Sequence, residues 1–393
     1  MIRIRLKQPM IPYSKQAITE EDEIAVNNAI VSPLITQGPK VVEFEKAICE
    51  MHGCGDAVAC SSGSSALILA YAGCGINESS IGIVPSITFA STANALRHLG
   101  AKVVFCDVDH ESGLIDLQSL EESLQSVRKT TNFKNGVITP VSLAGRVAPL
   151  KEIRKLADQF EMMVVEDASH SPLAWSDEDG VNVRSCSCEW TEFATLSFHP
   201  VKHVCCGEGG AVLAKNKDLA SLPRRLSTHG IEKNTDPNRP WMYEQLDLGW
   251  NFRLTEIQAS LGISQLSRLK SGIIERKKLA ANYHRALSDY PFKDFIGLPD
   301  IGDGHSLHLY VVRFLEPLMR DKAYHFLKSK GIASQVHYIP VYKHPYYKNQ
   351  YGEIEMEGAE KYFESCLSLP LYPGLAEADQ SKVIHALSSF LEE

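Results

Sequence analysis

The sequence predicts an α/β fold: a large sheet domain followed by a smaller α+β domain at the C-terminal end. Three observations carry this. Short apolar runs alternate with helical segments through the first two-thirds of the chain. Each run is apolar on both faces. After about residue 255 the texture changes to long helices with Lys and Arg on their outer faces. A strand that is apolar on both sides lies between two covering layers, as parallel strands in α/β sheets do. Such sheets bind ligands at the carboxyl ends of their strands. With 393 residues the chain exceeds what one core serves. Residues 1–255 are therefore read as a large ligand-binding domain and 256–393 as a small C-terminal domain.

The strand candidates run in order over 56–60, 81–85, 102–106, 136–140 and 162–167, mostly rich in β-branched side chains. Between them, 88–99 reads as a helix closed by Gly100, a good C-cap. The segment 150–160 places Ile153, Leu156, Ala157 and Phe160 on one stripe at helical spacing. The polar stretches 177–188 and 229–239 read as surface loops, either plain connections or parts of a site. Farther on, 261–287 predicts one or two long helices, 309–314 a strand and 380–391 a closing helix.

A formal net charge of −8 without any block of Lys or Arg argues against nucleic acid or an anionic membrane as partner. The basic start over residues 1–7 lacks an apolar stretch behind it, so no signal peptide is expected. No run of about 18 apolar residues predicts a membrane span. A cytoplasmic location is the expectation, with the ten cysteines as free thiols. Cys186-Ser187-Cys188 and Cys205-Cys206 lack zinc-site spacing, so no metal is expected.

Three segments carry chemistry. Ser61-Ser62-Gly63-Ser64-Ser65 follows a strand and opens a helix. Free N–H groups at such a helix start suit a phosphate, although Ser and Gly also simply cap helices. Asp167 ends a buried apolar strand, where a carboxylate needs a charged or protonated partner unless it marks a turn. Lys202 sits among small and apolar residues before Gly207-Glu208-Gly209-Gly210. Desolvation there would favour the neutral, nucleophilic amine. A phosphate cup, a strand-end Asp and a downstream Lys are together what pyridoxal phosphate (PLP) needs.

These segments resemble the DegT/DnrJ/EryC1/StrS nucleotide-sugar aminotransferases. The carriers are Pro85-Ser86-Ile87-Thr88-Phe89, Glu166-Asp167-Ala168-Ser169-His170, Ser197-Phe198-His199-Pro200-Val201-Lys202, Gly207-Glu208-Gly209-Gly210, and the block from Gly249 to Gln258. The resemblance runs from about Ile11 to the C-terminus. Three positions depart from the family pattern: Ser142, where His is frequent, and Cys205-Cys206, where Thr-Thr is frequent.

The resemblance implies PLP fold type I, like aspartate aminotransferase, with a large mixed sheet and a smaller α+β domain. It implies PLP on Lys202, with Asp167 facing the pyridine nitrogen and His170 near the ring hydroxyl. Phe89 would stack on the ring, while Ser64, Ser65 and Ser197 would hold the phosphate. Asn251 would reach the neighbouring subunit's phosphate, which implies a homodimer with shared sites. L-glutamate is the implied donor, and Arg253 is a candidate for its carboxylate. The segments 11–16, 337–347 and 369–374 resemble the pseudaminic-acid branch, which aminates C4 of a UDP-linked 4-keto-6-deoxy-N-acetylhexosamine. Tyr13, His337 and Tyr338 would then face the sugar nucleotide. Other nucleotide keto sugars, dTDP- or GDP-linked, and a sensor without turnover are the alternatives. The family's dehydratases replace the lysine by His, which the presence of Lys202 opposes.

Overall fold

The computed structural model describes residues 10–130, 133, 135–233, 236–316 and 318–392. The basic start over 1–7 and Asn234 of the second polar stretch lie outside the described residues. The five apolar runs form strands β1 (Asp56–Cys60), β2 (Ile81–Pro85), β3 (Lys102–Cys106), β4 (Gly136–Ile138) and β5 (Met163–Asp167). The stretch expected as a loop over 177–188 is largely a hairpin, β6 (Trp175–Glu178) and β7 (Val181–Arg184). Two further strands, β8 (Phe193–Ser197) and β9 (Gly210–Ala214), flank the lysine segment.

The large sheet has the order β1-β9-β8-β5-β4-β2-β3. Its pairings are parallel from β8 through β5, β4 and β2 to β3, and β9 runs against both of its neighbours. Here the reading of β1 as a strand in a parallel ladder is corrected: it pairs antiparallel with β9, from Asp56↔Ala214 to Cys60↔Gly210. An apolar run reports that both faces are covered, and β1 is covered, but it carries no information on the direction of its neighbour.

Helices cover the sheet: α1 (Glu20–Ile30), α2 (Pro39–His52), α3 (Gly63–Gly73), α4 (Ser91–His98), α5 (Leu117–Thr130), α6 (Leu150–Gln159) and α7 (Lys217–Leu226). Helix α4 begins three residues later than the pattern suggested, because Thr88 and Phe89 form the turn that leaves β2. The long helical stretch is two helices, α8 (Glu256–Ser267) and α9 (Leu269–Leu287), which meet at Arg268. A capping box starts α8: Gln258 N donates to Thr255 Oγ1 at 3.2 Å, and Thr255 N donates to Gln258 Oε1 at 3.1 Å. Although α8 follows residue 255, it packs on α1 and α2, with Ala259 and Leu266 in one core with Phe44 and Ile48.

The second, smaller layer is an antiparallel sheet of β12 (Ile296–Gly297), β13 (Tyr310–Phe314) and β14 (Cys366–Leu369). The hairpin of β10 (Ile231–Lys233) and β11 (Tyr243–Gln245) stands apart from both sheets, and its first strand lies in the stretch expected as a loop over 229–239. Helices α9, α10 (Met319–Ser329) and α11 (Glu377–Glu392) close the small core around Tyr283, Tyr310, Leu327, Leu367 and Leu387. Arg276 on α9 is buried, and its guanidinium donates to the backbone oxygens of His308 and Leu371 at 3.0 and 2.9 Å. A buried cation keeps its charge only when its donors are used, and these bonds tie α9 to two strand connections at once. The segment before α1 ties the layers together. Ile11 exchanges backbone bonds with Gly331 and Ala333, Tyr13 O accepts from Leu371 N at 3.0 Å, and Ser14 Oγ donates to Val201 O at 3.2 Å. Among the described residues no helix is long and apolar enough to cross a membrane.

Candidate active site

The carboxyl ends of β1, β5 and β8 deliver the three segments that carry chemistry to one cavity of about 760 Å³. Its lining includes Ser64, Phe89, Asp167, His170, Ser197 and Lys202. Tyr13, His337 and Tyr338 close it from the side of the second layer. The volume lies in the range of small-molecule sites.

At the cavity's base lies the start of α3. Ser62 caps the helix: its Oγ accepts from Ser65 N at 3.1 Å. The N–H groups of Gly63 and Ser64 have no acceptor among the described residues. Gly63 matters for what it lacks. A Cβ there would fall 2.8 Å from the Cβ of Ser197, so the bare backbone lets β8 place Ser197 against the helix start. Ser64 Oγ is hydrogen-bonded to Ser91 Oγ of α4. Ser65, expected in the phosphate cup, is absent from the lining. Its buried hydroxyl is spent on Ser61 Oγ at 2.9 Å and Ser62 Oγ at 2.8 Å, inside the turn.

Asp167 ends β5 and is buried. Oδ2 accepts from Thr92 Oγ1 at 2.8 Å, and Oδ1 accepts from Ser169 Oγ at 2.7 Å and Ser169 N at 3.2 Å. Thr92 is itself bonded to Thr88 Oγ1 at 2.8 Å. Among the described residues no cation forms an ion pair with this carboxylate, so its counter-charge is free to come from a ligand. The preceding Glu166 points to the opposite face, as strand alternation requires. There it accepts from Ser142 Oγ and Ser185 Oγ, both at 2.6 Å, and from Cys186 N at 2.9 Å.

Lys202 stands across the cavity on the connection between β8 and β9. Burial lowers its amine to a pKa of about 8, and the charge of Asp167 opposes that shift. An amine near 8 is partly unprotonated at neutral pH and is a competent nucleophile and proton carrier. His170 lies beside it, buried. Its pKa is held well below the ordinary imidazole value, first by burial and then by the positive charge of Lys202. Its ring is 4.2 Å, centroid to centroid, from that of His308. Phe89 is exposed at the cavity mouth, with its ring 6.0 Å from that of Tyr338.

Asn251 and Arg253 do not line the cavity. Asn251 is exposed and pairs through its backbone with Thr228, and Arg253 pairs with Cys60. Their segment still runs beside the helix start, where Ser61 N donates to Phe252 O at 2.8 Å. Sequence reasoning missed Thr92, Ser91 and His308. Thr88 and Thr92 carried a usable signal: hydroxyls four apart where a strand-end turn leads into a helix. His308 carried none, because its place depends on how the second layer docks. Cys186 and Cys188 are buried, as are Cys205 and Cys206. Among the described residues no three His, Cys, Asp or Glu side chains group to hold a metal.

The chain is 35% identical over 386 residues, 98% of both chains, to a Campylobacter jejuni subsp. jejuni serotype O:23/36 (strain 81-176) protein named UDP-4-amino-4,6-dideoxy-N-acetyl-beta-L-altrosamine transaminase. Among solved structures it is similar to Helicobacter pylori PseC, described as an aminotransferase involved in the biosynthesis of pseudoaminic acid. The TM-score is 0.86 at 27% identity, covering 98% of this chain and 99% of that one. It is also similar to ntda from Bacillus subtilis, solved with bound cofactor PMP. There the TM-score is 0.83 at 25% identity, covering 96% of this chain and 83% of that one. The model of the DegT/DnrJ/EryC1/StrS aminotransferase family matches residues 16–388, and the chain belongs to that family.

Proposed function

We propose that this aminotransferase uses PLP to move the amino group of L-glutamate to C4 of a UDP-linked 4-keto-6-deoxy-N-acetylhexosamine. The observation that carries the PLP reading is that Lys202 and Asp167 line one cavity at the start of α3. The residues fit the cofactor. Two N–H groups without acceptors and the positive end of α3 suit its phosphate, with Ser64 and Ser197 at hand. A buried carboxylate with no ion-paired cation among the described residues suits a protonated pyridine nitrogen. Bound there, PLP would supply an electron sink and a carrier for the amino group.

The chain's own residues supply the rest. Lys202 would hold the cofactor and would move the proton at the donor's Cα. Its pKa of about 8 keeps both protonation states accessible for that purpose. Asp167 would face the ring nitrogen, and its three hydrogen bonds hold the carboxylate in place. Phe89 would cover the cofactor from the cavity mouth, and burial keeps His170 neutral in the same cavity. Tyr13 and His337, with rings 5.4 Å apart, offer aromatic faces to a sugar nucleotide. Arg253 is the candidate for the donor carboxylate. Asn251, exposed and beside the cup, would serve a partner's phosphate site, so the proposed unit is a homodimer, with a cytoplasmic location proposed alongside it.

The sugar and its nucleotide follow the activity of the Campylobacter relative and the pathway of the Helicobacter enzyme. The test is a screen of UDP-, dTDP- and GDP-linked keto sugars with glutamate, reading 2-oxoglutarate. The UDP-linked 4-keto-N-acetyl sugar should give at least a hundred times the kcat/KM of the others. A preference for a dTDP- or GDP-linked sugar would reject the substrate and leave the transamination intact.

A further inference from the structure

The hydrogen-bond chain from Ala144 through His170 to Tyr338 has a fixed direction. Ala144 N, which can only donate, reaches His170 Nδ1 at 3.4 Å. Nδ1 is therefore an acceptor. The ring is neutral, so its single proton lies on Nε2. Nε2 stands 3.2 Å from Tyr338 Oη, and with that proton it is the donor. The tyrosine oxygen accepts, and its own proton has no acceptor among the described residues. Both His170 and Tyr338 line the cavity.

Packing holds this arrangement. The His308 ring lies 4.2 Å from His170 with an interplanar angle of 33°, and His308 is buried. The Tyr338 ring is 6.2 Å from His170, at 25°, and 6.0 Å from Phe89. Ala144, whose N–H sets the direction, is held in a left-handed conformation with φ of 57°. Strain of this kind persists where surrounding structure over-determines it.

We infer that Tyr338 presents its hydroxyl proton to an oxygen of the bound substrate, and that His170 is the positioning residue that keeps this proton turned toward the cavity. The inference rests on the aminotransferase reading and deepens it. Burial raises the phenol above its ordinary value, with the charge of Asp167 adding to the effect. The hydroxyl therefore stays protonated and acts as a hydrogen-bond donor, with no proton transfer required. The shared chemistry is a carbonyl or carboxylate oxygen. It belongs either to the amino donor, in the first half-reaction, or to the keto sugar, in the second.

The test is Tyr338→Phe, which keeps the ring and its contacts with Phe89 and His170. The two half-reactions are followed separately by stopped-flow absorbance, and cofactor affinity by fluorescence titration. A slowing of about tenfold to a hundredfold in at least one half-reaction is expected, with cofactor affinity within about twofold of the wild type. Loss in the glutamate step alone assigns the oxygen to the donor, and loss in the sugar step alone assigns it to the keto sugar. Two unchanged half-reactions overturn the inference, as does a variant whose only defect is weaker cofactor binding. A second pair probes the positioning role. His170→Gln retains an N–H donor and should recover most of the rate that His170→Leu loses. Equal loss in both would leave no role for the direction of the bond. A wild type that does not react with glutamate would reject the aminotransferase reading, and the inference with it. A reactive wild type matched by an equally fast Tyr338→Phe rejects the inference alone.

Discussion

Thr92, in the first turn of α4, donates its hydroxyl to Asp167 Oδ2 at 2.8 Å, joining the helix after β2 to the end of β5. The bond orients the carboxylate from a different element than the one that carries it. Asp167→Asn should keep the fold and lose about a hundredfold or more in kcat, because an amide cannot stabilise a cationic ring nitrogen. Thr92→Val should fall between this variant and the wild type, and Thr92→Ser should restore most of the activity. If Asp167→Asn turned over normally, the carboxylate would be only a turn residue.

Lys202→Ala should abolish turnover, along with the visible absorbance of lysine-bound PLP, and borohydride should fix no cofactor to the variant. The pH dependence follows from its lowered pKa. Capture of PLP by the apoprotein should accelerate as pH rises, with its inflection near 8, where half of the amine is free, and level off above that. Between about 8 and 10.5 the unfolded lysine still binds the proton that the folded one has lost. Apoprotein stability should therefore rise with pH across that window. An inflection near 10.5 in the capture rate would show a solvated lysine and refute this part of the mechanism.

Glu166 makes a structural counterpart. Glu166→Ala leaves Ser142, Ser185 and Cys186 N with donors aimed at an empty space, at a cost of about 2–4 kcal/mol. Denaturant unfolding of the apoprotein should register that loss. Glu166→Gln, which keeps the shape and one carbonyl acceptor, should lose less. Equal stability of Ala and wild type would mean that water replaces the carboxylate.

Asn251 tests the shared site. Mixing Lys202→Ala subunits with Asn251→Ala subunits should restore activity, since a heterodimer then holds one intact site. A monomer in sedimentation equilibrium, or no recovery on mixing, counts against the dimer.

Much of this was legible in the sequence, for physical reasons that differ by element. The runs at 81–85, 102–106 and 163–167 are apolar on both faces and bounded by turns, so their strand character is local information. β9 was missed because Gly209-Gly210 lowers strand propensity, and only its packing against Ser62 and β8 makes it a strand. A hydroxyl-rich stretch promises a phosphate cup without saying which hydroxyl is spent internally. Ser62 and Ser65 are, and Ser64 is not excluded from the cavity. Tyr338 was readable as an aromatic beside a ligand. Its bond to His170 was not, because 168 residues separate the two in the chain.

The placement of β9 between β1 and β8 also sets an order of assembly during translation. β1 emerges early and finds its hydrogen-bonding neighbour only when residues 210–214 have left the ribosome. Until then an apolar strand with an open edge must wait, the kind of segment that recruits other chains. A nascent chain ending near residue 200 should therefore bind holdase chaperones, and one extended past α7 should release them.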